Sequence, residues 1–316
     1  METVEHLAAR MAAQIAALRQ GTMGWQEWRS HLPQVEPNLS EVDLRRTHLS
    51  GINLSTANLT KAYLTEATLI AAILSRATLT KANLYEVNLT DADLSEADLT
   101  DANLIGANLT RVDLQGATLR GADLREAYLE QAALSRADLI GTDLRRAILK
   151  KADLSDANLT RADCSCASFN AANLVSATLS RAKLYKADLI EANLTKATLY
   201  KTLLVEAQMV GAYLVGATLI EAVLTQSNLS WANLSRANLS GATLDQTNLH
   251  QANFSRANLE GANLKGADLR SADLYKADLT GANLFEANLF NANLHQVNLH
   301  QANLQRAKMP DGTVHP

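Results

Sequence analysis

Residues 92–110 read ADLSEADLTDANLIGANLT, a five-residue unit with leucine in the third place and alanine two residues earlier. This register runs from Leu39 to Met309 without a slip, and 50 of its 55 leucine positions hold leucine, the exceptions being Cys164, Phe169, Met209, Phe254 and Met309. A period of five fits neither an amphipathic helix nor an alternating strand. It predicts a solenoid, whose units bury their apolar side chains only by stacking on one another.

The position two residues before each leucine is almost as constant, since it is alanine at 44 of the 55 sites. Each pentad is predicted to form one side of a closed coil. The leucine points inward, the small alanine leaves room for it, and the other three residues face outward or turn the corner. Aromatic residues make up only 4% of the chain, as expected for a narrow interior.

Proline and glycine agree with this interpretation. The four prolines, Pro33, Pro37, Pro310 and Pro316, lie at or beyond the ends of the repeat, where a missing N–H breaks no ladder between coils. Eleven of the fourteen glycines stand two residues after the central leucine. A corner at that position would use the tolerance of glycine for positive φ.

The units Ala92-Asp93-Leu94-Ser95-Glu96 and Ala237-Asn238-Leu239-Ser240-Gly241 resemble the A-(D/N)-L-x-x motif of the pentapeptide repeat family. The resemblance covers residues 37–309 and implies an all-β solenoid, a right-handed quadrilateral β-helix with four pentads per coil. About 14 coils are expected, with a length of roughly 65 Å at ~4.8 Å per coil. The ending Met309-Pro310-Asp311-Gly312 resembles the tails of cyanobacterial members of the family.

Both ends of a β-helix need protection, because open edges invite pairing. Residues 1–36 are predicted to be an α-helical N-terminal cap, residues 37–309 the β-helix and residues 310–316 a C-terminal tail. Residues 2–20 have apolar spacings of three and four and are stopped by Gly21, and a second short helix ends at Pro33. The cap residues are Leu7, Met11, Ile15, Leu18, Trp25 and Trp28. A partner-binding helical hairpin is the alternative.

Catalytic chemistry is not expected, because no nucleophile, base and orienting group share a column of the coil. The histidines are scattered, so neither a metal site nor a cofactor is predicted. A net charge of −4 indicates no direct nucleic-acid binding. We expect no secretory signal and no stretch long enough for a membrane span, and hence a cytoplasmic protein. Cys164 is predicted to face inward and Cys166 outward.

Between residues 200 and 231 the outward positions change from polar to apolar. Two pairs, Tyr200 with Ile220 and Leu203 with Val223, fall one coil apart and are expected to stack. The candidate protein-binding residues are Tyr200, Leu203, Val205, Val210, Tyr213, Val215, Ile220, Val223 and Trp231. An exposed apolar patch indicates a contact site, and the alternative is that these residues simply favour β-structure.

A further outer column is basic, with Arg76, Arg136, Lys196, Arg236, Arg256 and Lys276 beside serines. It would suit phosphate or an acidic partner, or it serves solubility alone. The leading hypothesis is a non-enzymatic structural or regulatory protein that binds an unknown protein partner or its own copy. The alternatives are modulation of DNA gyrase by mimicry of DNA, as the resemblance implies for members that confer quinolone resistance, and an enzyme.

Overall fold

The computed structural model describes residues 4–32 and 35–316, without the side chains of residues 4–8, 10 and 11. The side chains of Leu7 and Met11 and the whole of Pro33 therefore lie outside the described part of the chain. The chain divides into two compact units, Met1–Ile148 and Leu149–Pro316. The same local architecture is found in each.

Parallel β-bridges in both units join residues that are twenty apart in the sequence. They run from Asn38–Asn58 to Tyr128–Ile148 in the first unit and from Asp153–Asn173 to Asn288–Lys308 in the second. One bridge occurs in each pentad, and no longer strand is present in residues 35–316. Since the chain returns above itself after twenty residues, four pentads complete one coil in each unit, and the predicted solenoid is confirmed.

The hydrogen bonds of one pentad, Ala237 to Gly241, show how the coil uses its backbone. Ala237 donates its N–H to the leucine carbonyl of the pentad before (3.0 Å), which closes a tight turn. Asn238 donates to the preceding coil (2.9 Å), and Leu239 and Gly241 donate to the following coil (2.7 and 2.8 Å). Ser240 donates its N–H to the Asn238 side-chain oxygen (3.1 Å). All five N–H groups are satisfied, so proline has no place in such a pentad.

The third residue of each four-residue turn, two after the leucine, has a positive φ, as in a type II turn. Glycine was expected there, and Gly241 has φ +64°. The structure adds that charged and polar residues adopt the same conformation, for example Arg236 with φ +59°. The hydrogen bonds between coils therefore hold L-residues in a region that they rarely adopt on their own.

The interior of each coil is made of the leucine and alanine positions, which are almost without exposure from Leu54 to Leu289. Cys164 and Phe169 take leucine positions and are fully buried, and Cys166 is exposed, as predicted. Hydroxyl residues replace alanine at a few sites. Thr142 and Thr202 donate to leucine carbonyls at 2.8 and 2.7 Å, so these buried hydroxyls are satisfied.

Two helices precede the first coil, α1 (Val4–Arg19) and α2 (Gly21–His31). Gly21, with φ +79°, opens α2 directly after α1 ends. Leu18 is buried and Ile15 is half-buried, while Trp25 is fully buried and stacks on Trp28 with ring centroids 5.0 Å apart. Neither helix combines the length and the apolar character that a bilayer span requires.

Helix α2 also satisfies carbonyls of the first coil. In later coils such carbonyls accept N–H groups from the coil before, as the carbonyl of Ser75 does from Thr56 at 3.0 Å. Here the donors are side chains instead: Thr22 to Ser50 (3.2 Å), Trp25 to Asn53 (2.5 Å) and Arg29 to Ser55 (3.5 Å). These contacts replace part of a missing preceding coil.

The last coil is more open. Leu294, Leu299 and Leu304 occupy interior positions but are half-exposed, and their N–H groups have no acceptor among the described residues. Residues 310–316 turn back along one side, where Lys308 and Val314 form an antiparallel bridge. The rest of this edge has no backbone partner within the described chain.

Candidate interaction surface

The apolar band lies in the second unit, where the register places its residues on defined sides of the coil. Leu203 and Val223 form a β-bridge in the middle of one side, and Tyr200, Ile220 and Val205 stand at the two corners that border it. These five residues are here called the Leu203 patch. All five are half-buried, so their outer edges form a continuous apolar strip across two coils.

Lysines border the Leu203 patch. Lys183 forms the β-bridge before Leu203, and Lys201 lies 5.2 Å from the centre of the Tyr200 ring. The Lys201 ammonium also pairs with Glu221 at 3.1 Å. Its hydrogen bond with the Tyr200 hydroxyl, followed by that with Glu221, raises the pKa of Lys201. An apolar centre with a charged rim is the usual anatomy of a protein contact surface.

The other four candidates, here called the Trp231 corner, do not join this patch. Val210 and Trp231 share one corner, and Tyr213 and Val215 lie on the side that follows this corner. Tyr213 is 52% exposed and Trp231 61% exposed. The nine residues thus form two groups around the coil instead of one surface.

Trp231 has φ +63° and is the one aromatic residue that adopts positive φ in the described chain. Its indole meets the His250 ring edge-on, with centroids 6.2 Å apart. Positive φ is common to all these turn positions, so the distinctive feature of Trp231 is its exposed indole, and aromatic residues are enriched at contact surfaces. The Trp231 corner is therefore a second candidate surface.

A shallow cleft of about 250 Å³ adjoins the Trp231 corner. It is lined by Tyr213, Glu191, Asn193 and Thr195 and by the small residues of the coil before, Ala171, Ala172 and Asn173. Alanine at corner position 171 leaves the opening, because longer side chains, Lys151 and Glu191, occupy this position on the neighbouring coils. The cleft holds one carboxylate and two amides beside an aromatic ring.

The charged corners are ordered by local pairs. The Arg270 guanidinium donates to the Asp268 carboxylate at 2.6 to 3.0 Å, and this hydrogen bond lowers the pKa of Asp268. In the first unit Arg45 holds Asp43 in the same way and lowers its pKa to about 2. Over residues 4–32 and 35–316 no three histidine, cysteine, aspartate or glutamate residues form a group able to hold a metal ion.

The sequence interpretation missed two roles. The Asn or Asp before each leucine accepts the N–H two residues ahead, as Asn238 does from Ser240, and so shapes the corner. The Asn or Asp of the A-(D/N)-L motif was the sequence feature from which this role could have been predicted. The donors that α2 offers to the first coil could not be identified from spacing, because their acceptors are backbone carbonyls whose exposure depends on the tertiary fold.

Eight segments match the model of the family described as Pentapeptide repeats, namely residues 38–76, 62–101, 88–125, 122–161, 162–200, 212–251, 247–284 and 282–311. Residues 201–211, which include Leu203, Val205 and Val210, lie between two matched segments. No curated protein matches the chain.

Solved structures of pentapeptide repeat proteins are similar to the chain. HetL, involved in heterocyst differentiation regulation in the cyanobacterium Nostoc sp. strain PCC 7120, is 30% identical over 92% of this chain and 98% of its own, with a TM-score of 0.20. A thylakoid-lumen protein of Arabidopsis thaliana is 34% identical over 32% of this chain and 70% of its own, with a TM-score of 0.32.

The plasmid-mediated fluoroquinolone resistance protein QnrB1 is 19% identical over 63% of this chain and 92% of its own, with a TM-score of 0.39. Proteins of the family form right-handed quadrilateral β-helices, and the twenty-residue register found in each unit gives the same four sides per coil. With repeats matched over most of its length, the chain belongs to the pentapeptide repeat family.

Proposed function

We propose that this chain is a non-enzymatic binding protein that engages a protein partner, or its own copy, through the Leu203 patch. One observation carries the proposal: outward positions that are polar in most other pentads hold apolar residues here on two neighbouring coils, at the centre of one side and at both of its corners. HetL is involved in a regulatory process, and a structural or regulatory role is what we propose for this chain.

The free energy available from burying the Leu203 patch is large enough for binding. Burial of roughly 500 Å² of apolar surface, counted over the patch and its partner together, at about 25 cal/mol/Å² contributes on the order of 12 kcal/mol before the entropic costs of association. The position of two patch residues adds support, since Leu203 and Val205 fall between the segments that match the repeat. The alternative, that these residues only favour β-structure, predicts no association.

The decisive variant is Leu203→Asn with Val223→Asn. Asparagine is common at this place in the pentad, where its side-chain oxygen accepts a backbone N–H, so the fold is retained. We expect partner binding, or self-association in sedimentation velocity, to fall at least tenfold. Thr243→Asn is the matched control, because Thr243 occupies the next coil of the same column. Equal binding by the double variant and the control would remove the Leu203 patch as the contact.

Crosslinking distinguishes a foreign partner from a second copy. Lys183 and Lys201 border the patch, whereas Lys265 lies on later coils beside Phe285. An amine-reactive crosslinker should join Lys183 and Lys201 either to peptides of a partner or to the same region of an isotope-labelled copy. Crosslinks concentrated at Lys265 instead would contradict the assignment.

The remaining assignments form part of the same proposal. We propose that residues 1–36 cap the first coil, and the contacts of α2 support this assignment. Residues 37–309 form the repeat, with about 14 coils, and residues 310–316 are a tail. We place the protein in the cytoplasm. Fluorescence microscopy of a C-terminal fusion tests the location. Modulation of DNA gyrase is not part of the proposal. Mimicry of DNA requires a mainly acidic surface, and here cations alternate with acids at many corners.

A further inference from the structure

Eight of the seventeen cations at the turn position with positive φ pair with an acid on a neighbouring coil. In each pair the acid is twenty residues away, at 2.6 to 3.5 Å. The pairs are Arg46–Glu66, Lys61–Glu41, Arg76–Glu96, Arg111–Asp91, Arg146–Glu126, Lys186–Glu206, Lys201–Glu221 and Arg306–Glu286. This pattern offsets the repulsion that stacked like charges would otherwise produce.

Arg236, Arg256 and Lys276 depart from this pattern. They stand at the same corner on three consecutive coils, and the column contains no acid from Ser176 to Gln296. All three are exposed, and none forms an ion pair within the described residues. Coils are spaced ~4.8 Å apart, so three cations here, called the basic ladder, lie close together without an ion-paired acid among the described residues.

Hydroxyl groups accompany the basic ladder. Ser235, Ser255 and Tyr275 directly precede its three cations. In some other pentads the equivalent serine hydroxyl bonds the neighbouring Asn or Asp side chain, as in Ser55 (2.7 Å) and Ser95 (2.6 Å). The hydroxyls of Ser235 and Ser255 make no such bond in the described structure. Each of these coils therefore presents a cation and a hydroxyl, two donors that suit a carboxylate oxygen.

The extent of the ladder points to the kind of ligand. Three coils span roughly 10 Å, which suits a short run of acidic residues. A nucleic acid that makes many phosphate contacts would extend over neighbouring acids, among them Glu260, Asp273 and Asp278. The net charge of −4 also opposes a long polyanion.

We propose that the basic ladder binds an extended acidic segment of a partner protein through its carboxylates. This surface is separate from the Leu203 patch, and its occupation does not depend on the function proposed above. Ligand carboxylates supply the counter-charge that the ladder lacks, and the adjacent hydroxyls donate to the same oxygens.

The test measures the binding of a fluorescent hexaglutamate peptide by anisotropy at low salt. The triple variant Arg236→Gln, Arg256→Gln and Lys276→Gln should weaken binding at least tenfold, with an unchanged far-ultraviolet circular dichroism spectrum. Glutamine already occupies the next position of this column, Gln296, so the fold tolerates it. Ser235→Ala with Ser255→Ala should weaken binding by roughly twofold to fivefold, on the scale of one neutral hydrogen bond.

The matched control is Arg46→Gln, Arg76→Gln and Arg111→Gln, which removes the same charge from paired corners. It should leave the affinity within about twofold of the native protein. Equal losses in both triple variants, or no peptide binding by the native protein, would overturn the proposal. Ladder-dependent binding of hexathymidylate or of anionic phosphatidylserine vesicles that exceeds hexaglutamate binding would also overturn it, and would assign the ladder to phosphates.

Discussion

The two ends of the repeat are finished in different ways. At the first coil, α2 buries Trp25 and supplies side-chain donors to carbonyls that lack a preceding coil. At the last coil, Leu294, Leu299 and Leu304 stay half-exposed, and the seven residues of the tail cover one side. The difference teaches that the pentad specifies the middle of the solenoid only. Each end must be covered by residues outside the repeat, and the first coil is covered more completely than the last.

The largest effect is expected for Trp25→Ala. Loss of a fully buried indole and of its hydrogen bond to Asn53 should lower the free energy of unfolding of the first unit by about 3–5 kcal/mol. Hydrogen exchange should accelerate at the amides of Leu39 and Leu44. Met23→Ala, at a residue 78% exposed on the same helix, is the control and should change little. Similar exchange rates in the two variants would show that α2 does not stabilise the first coil.

Leucine substitutions within one column compare the middle with the open end. Leu219 is fully buried, and Leu299, four coils later at the same place, is half-exposed. Leu219→Ala should cost about 2–5 kcal/mol, and Leu299→Ala about 1 kcal/mol or less, because little cavity forms at an open edge. Urea denaturation followed by circular dichroism measures both. A cost at Leu299 equal to that at Leu219 would mean that the last coil is covered in solution.

The tail depends on a turn at Gly312, which has φ +90°. Gly312→Ala should destabilise this turn by about 1 kcal/mol, because a Cβ is unfavourable in that conformation. Exchange should then accelerate at the amides of Arg306 and His315, which are hydrogen-bonded across the turn at 2.9 and 2.8 Å. Unchanged exchange at both amides would show that the tail is held by other contacts. Gly281→Ala, in a corner away from the tail, is the control.

The smallest expected effects are shifts in the pKa values of two carboxylates, one near each end of the repeat. Arg45 lowers the pKa of Asp43 near the first coil to about 2, and the Thr313 hydroxyl lowers that of Asp311 in the tail. Both interactions are present above the ordinary value of 3.8 and are lost as pH falls through the lowered one. In an NMR titration Arg45→Gln should raise the midpoint of Asp43, and Thr313→Val that of Asp311.

Salt separates these two carboxylates. About 1 M NaCl should raise the Asp43 midpoint, because an exposed ion pair is screened, and should affect Asp311 less, because its partner is neutral. An Asp43 midpoint insensitive to salt would mean that hydrogen-bond geometry alone produces the shift.

The sequence was sufficient to predict the interior of the coil, because leucine at every fifth residue stacks without a gap only when every leucine faces inward. It also placed Cys164 inward and Cys166 outward, as the structure does. The apolar band was less predictable. Register alone shows that Leu203 and Val223 stack. It does not show that Trp231 and Tyr213 lie on a different part of the coil, because that depends on which residues form the corners. The contacts of α2 were beyond sequence reasoning, because side-chain donors and backbone carbonyls leave no periodic trace.

The twenty-residue register limits how such a chain can change length during evolution. Loss of one pentad would leave the leucine spacing intact, yet every later residue of that unit would rotate by one side of the square. The Leu203–Val223 alignment survives only when whole coils are gained or lost on either side of it. Viable insertions and deletions in related genes should therefore come in multiples of sixty nucleotides wherever a surface column matters, and in multiples of fifteen where only the interior does.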